Sequence, residues 1–436
     1  VRFSLIVCSR NRPESLARTL LGVAQLRYRA FELIIISDPA DPATAETLDR
    51  HAPAARLGYC AAANLAQARN IGLAMARGDI VAFLDDDAVP EPDWLDQLAT
   101  AYGRPQITAA GGFIRDRNGI KFQSRIVLID EFGADHHRPA VTQPPAGGFL
   151  SLTGTNFSVR REAALALGGF DENYAYFLEE TDFLLRLQQA GGQIAVIAGA
   201  EIHHGYAPSA VRKHNGAPKS LAAIARSKAY FCHINRRPET APETLETLLQ
   251  KFVRRKTRQL WTHLLLGRLR AGEIAPLLGE LQTGIRDGKV LAKKPRVVPP
   301  LAAASGEFLP YQSRQQPRQR LCVLMRSPPD AAAWQRLGAL AGLDHEVTVL
   351  YFGGIRRRVR FSGAIWQHQL PVIWRSPATA SQALTRELRR IMPRRRFDKI
   401  YVASAGKAFA EAAAATGLPG FAPEDAESRP PTISRT

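Results

Sequence analysis

The chain is poor in sulfur and has no long apolar run. Its 436 residues include four cysteines, Cys8, Cys60, Cys232 and Cys322, with no CxxC pair and no metal-ligand spacing. That excludes a zinc ribbon or a disulfide framework and suits reduced thiols of a cytoplasmic protein. No window approaches the roughly 18 uninterrupted apolar residues of a membrane-spanning helix. Val1 precedes a strand-like run, Phe3–Val7, so no secretory signal is expected. Repeats and low-complexity arrays are also missing. Forty-five per cent of the residues are hydrophobic, enough for a sizeable core, and the length suits about two or three domains.

Positive charge dominates, but unevenly. The net charge is +18. Residues 1–203 hold 19 Lys/Arg against 24 Asp/Glu; residues 212–296 hold 19 against 6; residues 297–436 hold 20 against 10. An acidic first half therefore precedes a basic remainder. That asymmetry suits contact with a polyanion or an anionic membrane surface, and equally a solvated basic helix face.

Periodicity gives the order of elements. Apolar runs Phe3–Val7, Phe31–Ile36 and Ile80–Leu84 predict strands, with helices over Glu14–Leu26 and Ala61–Met75 between them. Strand–helix alternation implies a parallel α/β sheet with crossover helices. From 104 to 150 the pattern loosens into Gly and Pro, which suits a mobile substrate loop. Strand-like Leu150–Val159, helices Arg161–Leu167 and Phe177–Gln189, and strand Gln193–Ile197 follow. The expected organisation is a catalytic α/β domain over 1–210, a basic helical extension over 211–295, a linker over 296–319, a small Rossmann-like α/β domain over 320–425, and a disordered tail over 426–436. In the extension, Lys251–Arg258 is followed by Leu260, Trp261 and Leu264–Leu266. Such a helix can lie on an anionic membrane; packing against the preceding domain is the favoured expectation.

Chemistry concentrates where Ile80–Leu84 runs into Asp85, Asp86 and Asp87. Ligands of open α/β sheets bind beyond the carboxyl ends of strands. Three adjacent carboxylates there call for a cation, and oxygen ligands suit Mn²⁺ or Mg²⁺. Alternate residues share a side, so Asp85 and Asp87 can face one site together while Asp86 faces elsewhere. Isolated, such a triplet would read as a solvated turn. Its companions are a loop beyond the first strand, Cys8 to Arg12 with Arg10 and Arg12, then Asp38 beyond the second strand, and Arg69-Asn70 on a helix. These are candidates for nucleoside and diphosphate contacts. Glu179, Glu180 and Asp182 offer a general base, since clustered carboxylates raise one another's pKa. His203 and His204 follow the last strand, and His203 is taken as a candidate metal ligand.

Together these stretches resemble a family 2 glycosyltransferase with the GT-A fold over residues 2–205. The matching pieces are Phe3–Pro13, Ala68–Gly72, Gly78–Asp87, Gly154–Arg160, Gly168–Glu172 and Glu179–Asp182. The resemblance implies a Rossmann-like mixed sheet flanked by helices and inverting transfer from a UDP-, dTDP- or GDP-sugar. It also implies Mn²⁺ or Mg²⁺ at Asp85 and Asp87, and a base at Glu180 with Asp182 as rival. Cys8, Arg10, Arg12, Asp38, Arg69, Asn70, Asp85, Asp86, Gly154, Asn156 and Glu179 are then the expected donor contacts. The acceptor would be a glycan or lipid-linked hydroxyl in cell-surface glycan assembly, with cytoplasmic location and peripheral contact at the inner membrane. Two departures stand out: Pro39 follows Asp38 where paired acids are common, and Glu180 stands where Asp is usual. More faintly, Arg320–Met325, His345–Leu350 and Ile365–Pro371 resemble the opening half of a family 4, GT-B glycosyltransferase, implying a catalytically silent docking domain. Two alternatives stand beside this reading. A nucleotidyltransferase would show glycine in the loop after the first strand, and Cys8–Pro13 has none. A non-catalytic polyanion- or membrane-binding protein would use the basic segment; no nucleic-acid motif is present.

Overall fold

The computed structural model describes residues 1–135, 148–205, 207–311, 319–372, 377–403 and 407–420. The first unit contains β1 (Phe3–Cys8), α1 (Pro13–Val23), β2 (Phe31–Ser37), α2 (Pro42–His51), β3 (Arg56–Tyr59), α3 (Leu65–Met75), β4 (Ile80–Asp85), β5 (Ala88–Pro90) and α4 (Trp94–Tyr102). It continues with β6 (Ile107–Arg115), β7 (Phe122–Ser124), β8 (Val127–Ile129), β9 (Phe149–Ser151), β10 (Phe157–Arg160), α5 (Arg161–Ala166), α6 (Glu179–Gln189) and β11 (Gln193–His204). The sheet order is β3-β2-β1-β4-β10-β6-β11-β5, with β7 alongside β6. Strands β1 to β4 are parallel, whereas β10 runs antiparallel to both β4 and β6. The sheet is therefore mixed, as the resemblance implies, and parallel over the strands of residues 3–85 that alternate with helices.

Both faces of β1, β2 and β4 are covered, which is why they read as continuous apolar runs. Phe3, Leu5 and Val7 pack with Leu16, Leu20 and Trp94 on one face. Ile6 and Phe83 pack with Leu73, Phe157 and Phe183 on the other. Side-chain caps set two helix starts: Asp41 accepts from the Thr44 N–H at 3.1 Å and Asn64 from the Gln67 N–H at 3.1 Å. The second cap starts α3 at Leu65, later than its Ala-rich spacing suggests.

The loosely patterned stretch after 104 contains β6, a nine-residue strand inside the sheet. Gly111-Gly112 disguised it. A Cβ on Gly112 would lie 1.8 Å from the Ala200 carbonyl oxygen, so glycine is required by the approach of β11. The rest of the expected loop, 136–147, lies outside the described residues.

Helices α7 (Ala222–Ile234), α8 (Pro242–Leu265) and α9 (Ile274–Leu291) form a layer with its own core, including Leu245, Leu249, Phe252, Leu260 and Leu281. The chain after α9 returns to the first unit rather than hanging as a linker. The Val297 N–H donates to Asp171 at 3.0 Å and the Tyr311 N–H to the Phe31 carbonyl at 2.6 Å.

The C-terminal unit contains β12 (Arg320–Met325), α10 (Ala331–Gly342), β13 (Glu346–Phe352), β14 (Arg358–Ser362), β15 (Ile365–Leu370), α11 (Pro377–Arg395), β16 (Lys399–Val402) and α12 (Lys407–Ala414). Its sheet order is β14-β15-β13-β12-β16, parallel except for β14. It docks on the first unit through Val359, Phe361 and Trp366 against Val89. The tail expected over 426–436 lies outside the described residues.

Candidate active site

Of the three aspartates at the end of β4, Asp86 turns away from Asp85 and Asp87. Asp85 keeps about a third of its side chain exposed, 32%, and lies 3.6 Å from Arg69. Asp86 is fully buried; Arg12 grips both its oxygens, and the Ser9 hydroxyl donates to it at 2.7 Å. Burial, with Asp87 adding to it, pushes the Asp86 carboxyl up to about 7 against the pull of Arg12. Asp86 and Arg12 are thus a buried strut that ties the loop after β1 to β4, not free donor contacts. Asp87 accepts from the Ala207 N–H at 2.7 Å and faces His204 Nε2 at 3.1 Å. Burial alone would raise its pKa, but His204, Arg12 and the Ala207 N–H together hold it below the carboxylate range.

Asp85, Asp87 and His204 have ligand atoms all within 4.8 Å of one another. Strands β5 and β11 pair His204 with Ala88, directly after Asp87. His204 Nδ1 lies 2.9 Å from Gln123 Oε1. With Nδ1–H donated there, Nε2 would be the atom His204 offers to a cation shared with the two carboxylates, in place of its hydrogen bond to Asp87. His203, the expected ligand, points elsewhere: its Nε2 lies 2.8 Å from Glu91 and its ring packs edge-on to Trp366. Alternation along a strand puts neighbouring residues on opposite faces, and only the register shows which histidine faces the aspartates.

Arg69 links this group to the second acidic cluster. Almost completely buried, it donates to Glu179 at 2.9 Å and to the Gly154 carbonyl at 3.2 Å, beside Asp85. A Cβ on Gly154 would sit 2.7 Å from the guanidinium, so any larger residue there would push Arg69 out of this position. Glu179 keeps one buried oxygen, Oε2, with no partner. Glu180, beside it at the start of α6, is half-buried. Burial first, then the charges of Glu179 and Asp85, push its carboxyl up to about 8. The two residues before this pair, Phe177 and Leu178, have φ of 75° and 68°. Left-handed backbone in bulky residues is strained and marks a conformation imposed by its surroundings. The Tyr176 carbonyl just before them accepts from Ser227 of α7 at 2.8 Å.

Other expected residues are placed differently. Asp182 is fully buried and tied to Arg186 at 2.9 Å, Arg296 at 2.6 Å and Asn235 at 3.2 Å. Asn70 bonds Phe170 and Glu172, and Asn156 bonds Trp94, Phe113 and Ala200; both are buried and spend their amides on structure. Asp38 and Arg10 form a surface-side pair at 2.6 Å beyond β2, near Cys60 and Ala61. Cys8 ends β1 beside Asp85, its thiol pushed up to about 12 by burial. Sequence reasoning missed Gln123, Tyr176 and Arg212. Arg212 lies 3.7 Å from Asp87. With Tyr176, Lys256, Leu260 and His263 it lines a cavity of about 190 Å³ between the first unit and α8.

Residues 4–168 match the family model described as "Glycosyl transferase family 2". Among curated proteins, the chain is 26% identical over 258 residues to the O-antigen biosynthesis protein RfbC of Myxococcus xanthus, covering 56% of this chain and 20% of the relative. It is 29% identical over 186 residues to the glucosyl-dolichyl phosphate glucuronosyltransferase of Haloferax volcanii, covering 40% and 57%. It is 32% identical over 211 residues to the succinoglycan biosynthesis protein ExoM of Rhizobium meliloti, covering 45% and 64%. The chain thus spans from a fifth to under two thirds of these relatives' lengths. The matched segment ends beyond β10 and includes the β4 aspartates, Arg69 and Gly154, so the likeness to glycosyl transferase family 2 lies in the N-terminal unit and takes in the candidate site.

Proposed function

We propose that the chain is an inverting glycosyltransferase that moves a sugar from a nucleotide-diphosphate donor to an acceptor hydroxyl. One observation carries this: Arg69 joins a candidate metal group, Asp85, Asp87 and His204, to the carboxylate pair Glu179 and Glu180, where burial and Glu179 push the Glu180 carboxyl up to about 8.

The donor set suits a divalent cation. Two carboxylates and one imidazole fit Mn²⁺ better than Mg²⁺, because nitrogen ligands favour the transition metal. Such an ion neutralises charge developing on the departing diphosphate. The chain's own residues do the rest. Arg69 holds Asp85 in place, and Glu179 holds Arg69. Glu180 takes the proton of the acceptor hydroxyl as that oxygen bonds to the anomeric carbon. The bond from that carbon to the diphosphate breaks on the opposite face, and the configuration inverts. A base is most effective when its pKa lies near the working pH. Asp38 and Arg10, beyond β2, are assigned to the nucleoside side, and the cavity at Tyr176 and Arg212 to the acceptor side.

The relatives named for O-antigen, succinoglycan and glucosyl-dolichyl phosphate chemistry support a role in surface glycan assembly. The nucleotidyltransferase alternative loses its phosphate-binding loop: Arg12 is committed to Asp86 and Arg10 to Asp38. The test is calorimetric titration of UDP, GDP and dTDP, each with Mn²⁺ and with EDTA, on the wild type and on Asp87→Asn. Manganese-dependent binding of one nucleotide, lost in the variant, supports the reading. Failure of all three to bind overturns it.

A further inference from the structure

Helix α8 has two unlike faces. Leu245, Leu249, Phe252 and Leu260 are buried in the helical layer. On the other side Lys251, Arg254, Arg255, Arg258, Trp261, Thr262, Leu265 and Leu266 are all exposed. Their spacing, repeating at three and four residues, puts them on one stripe of the helix. The end of that stripe is apolar and open: Trp261 is 50% exposed, Leu265 86% and Leu266 59%.

Charge says what covers it. Between Thr247 and Gly272 the sequence has seven Lys/Arg and no Asp or Glu. Among the described residues Lys251, Arg254, Arg255 and Arg258 form no ion pair, though the chain has acids to spare elsewhere. A solvated helix needs no exposed Trp-Leu-Leu tip, and a nucleic-acid surface has little use for two leucines. A bilayer interface uses both: lysine and arginine near anionic headgroups, and Trp and Leu at the acyl boundary. No described helix is long and apolar enough to cross a membrane, so the contact would be peripheral.

We propose that this outer stripe of α8 binds the surface of an anionic lipid bilayer. The helix's other side contributes Lys256, Leu260 and His263 to the cavity that also holds Arg212, 3.7 Å from Asp87. A protein seated on α8 would therefore have one helix and this cavity between the lipid surface and its candidate metal group. The packing expected from the sequence and the membrane contact weighed against it occupy opposite faces of the same helix.

The experiment is flotation of the full chain with vesicles of phosphatidylcholine alone and of phosphatidylcholine mixed with phosphatidylglycerol. Two variants accompany it: Arg254→Gln/Arg255→Gln/Arg258→Gln, and Trp261→Ser/Leu265→Ser. All five positions are exposed, and circular dichroism checks the fold of each. Wild type is expected to float with the mixed vesicles and not with the neutral ones. The charge variant should bind on the order of 100-fold more weakly. The apolar variant should lose at least tenfold while binding heparin as well as wild type does. The inference is overturned if wild type fails to float, if neutral vesicles serve as well, or if the apolar variant floats unchanged. The last outcome would make the stripe a plain polyanion site. Vesicle binding is independent of nucleotide binding, so its failure leaves the transferase reading untouched.

Discussion

Arg395, in the last turn of α11, lies 3.3 Å from both carboxylate oxygens of Glu91, and both side chains are buried. The contact joins the C-terminal unit to the strand pair β5 and β11, which carries His204 of the candidate metal group. Glu91 also bonds His203, next to His204, and Arg394 reaches Glu201 on the same strand at 2.7 Å. Two consecutive arginines thus hold Glu91, directly after β5, and Glu201, within β11. Removing one partner of a buried ion pair strands the other charge. Arg395→Met is expected to cost about 3–5 kcal/mol in denaturant unfolding. The double variant Arg395→Met/Glu91→Leu should recover part of that loss. Equal losses in the single and double variants would mean that the pair does not hold the units together.

Removal of either charged carboxylate or the imidazole should abolish metal binding. Asp87→Asn and His204→Ala are expected to lose Mn²⁺ binding, read by the spin-resonance signal of free Mn²⁺. His203→Ala should retain it. Gln123→Leu, which removes the acceptor for His204 Nδ1–H, should weaken binding about 10–100-fold. Retained affinity in His204→Ala would exclude the imidazole from the coordination shell.

Glu180 sets the expected pH dependence. Its pKa is raised to about 8 by burial first and by Glu179 second. A base acts deprotonated, so kcat/KM should rise with pH and level off above about 8. Glu180→Gln should lower kcat by about 100-fold or more and remove that inflection. Stability runs the other way. The folded pKa lies above the ordinary 4.5, so this group's contribution is full at low pH and is lost as pH rises through about 8. A rate profile unchanged by Glu180→Gln would assign the base elsewhere.

The sheet core and the acidic motifs were readable because strong local patterns carry them. Phe3–Val7, Phe31–Ile36 and Ile80–Leu84 are continuous apolar runs that only a doubly covered strand explains. Strand β6 was hidden because its glycines answer to a neighbour 88 residues away, Ala200 against Gly112. The choice between His203 and His204 was equally hidden. It depends on the pairing of β11 with β5, and a one-residue shift reverses it. Arg395 and Arg296 carry no local signal, since each acts on a carboxylate more than 100 residues away. Alternation did separate Asp86 from Asp85 and Asp87, because three residues leaving one strand are a local matter.

Asp182 is the rival of Glu180 for the role of base. It shares the acidic turn of α6 with Glu180, and their roles cannot be told apart by spacing. The partners differ: Asp182 is surrounded by Arg186, Arg296, Asn235 and the Tyr174 hydroxyl, whereas Glu180 faces Glu179 and Asp85. Arg296 comes from the chain after α9 and also lies 3.4 Å from Asp171. Both oxygens of Asp182 are already engaged by these partners, which leaves neither turned toward an acceptor hydroxyl. Asp182→Asn keeps the shape but weakens charged hydrogen bonds, worth about 1.5–3 kcal/mol. It is expected to lower the unfolding free energy by about that amount. The kcat/KM inflection near 8 should remain, because Glu180 still provides it. Loss of the inflection in Asp182→Asn, with stability unchanged, would reverse the assignment and make Asp182 the base.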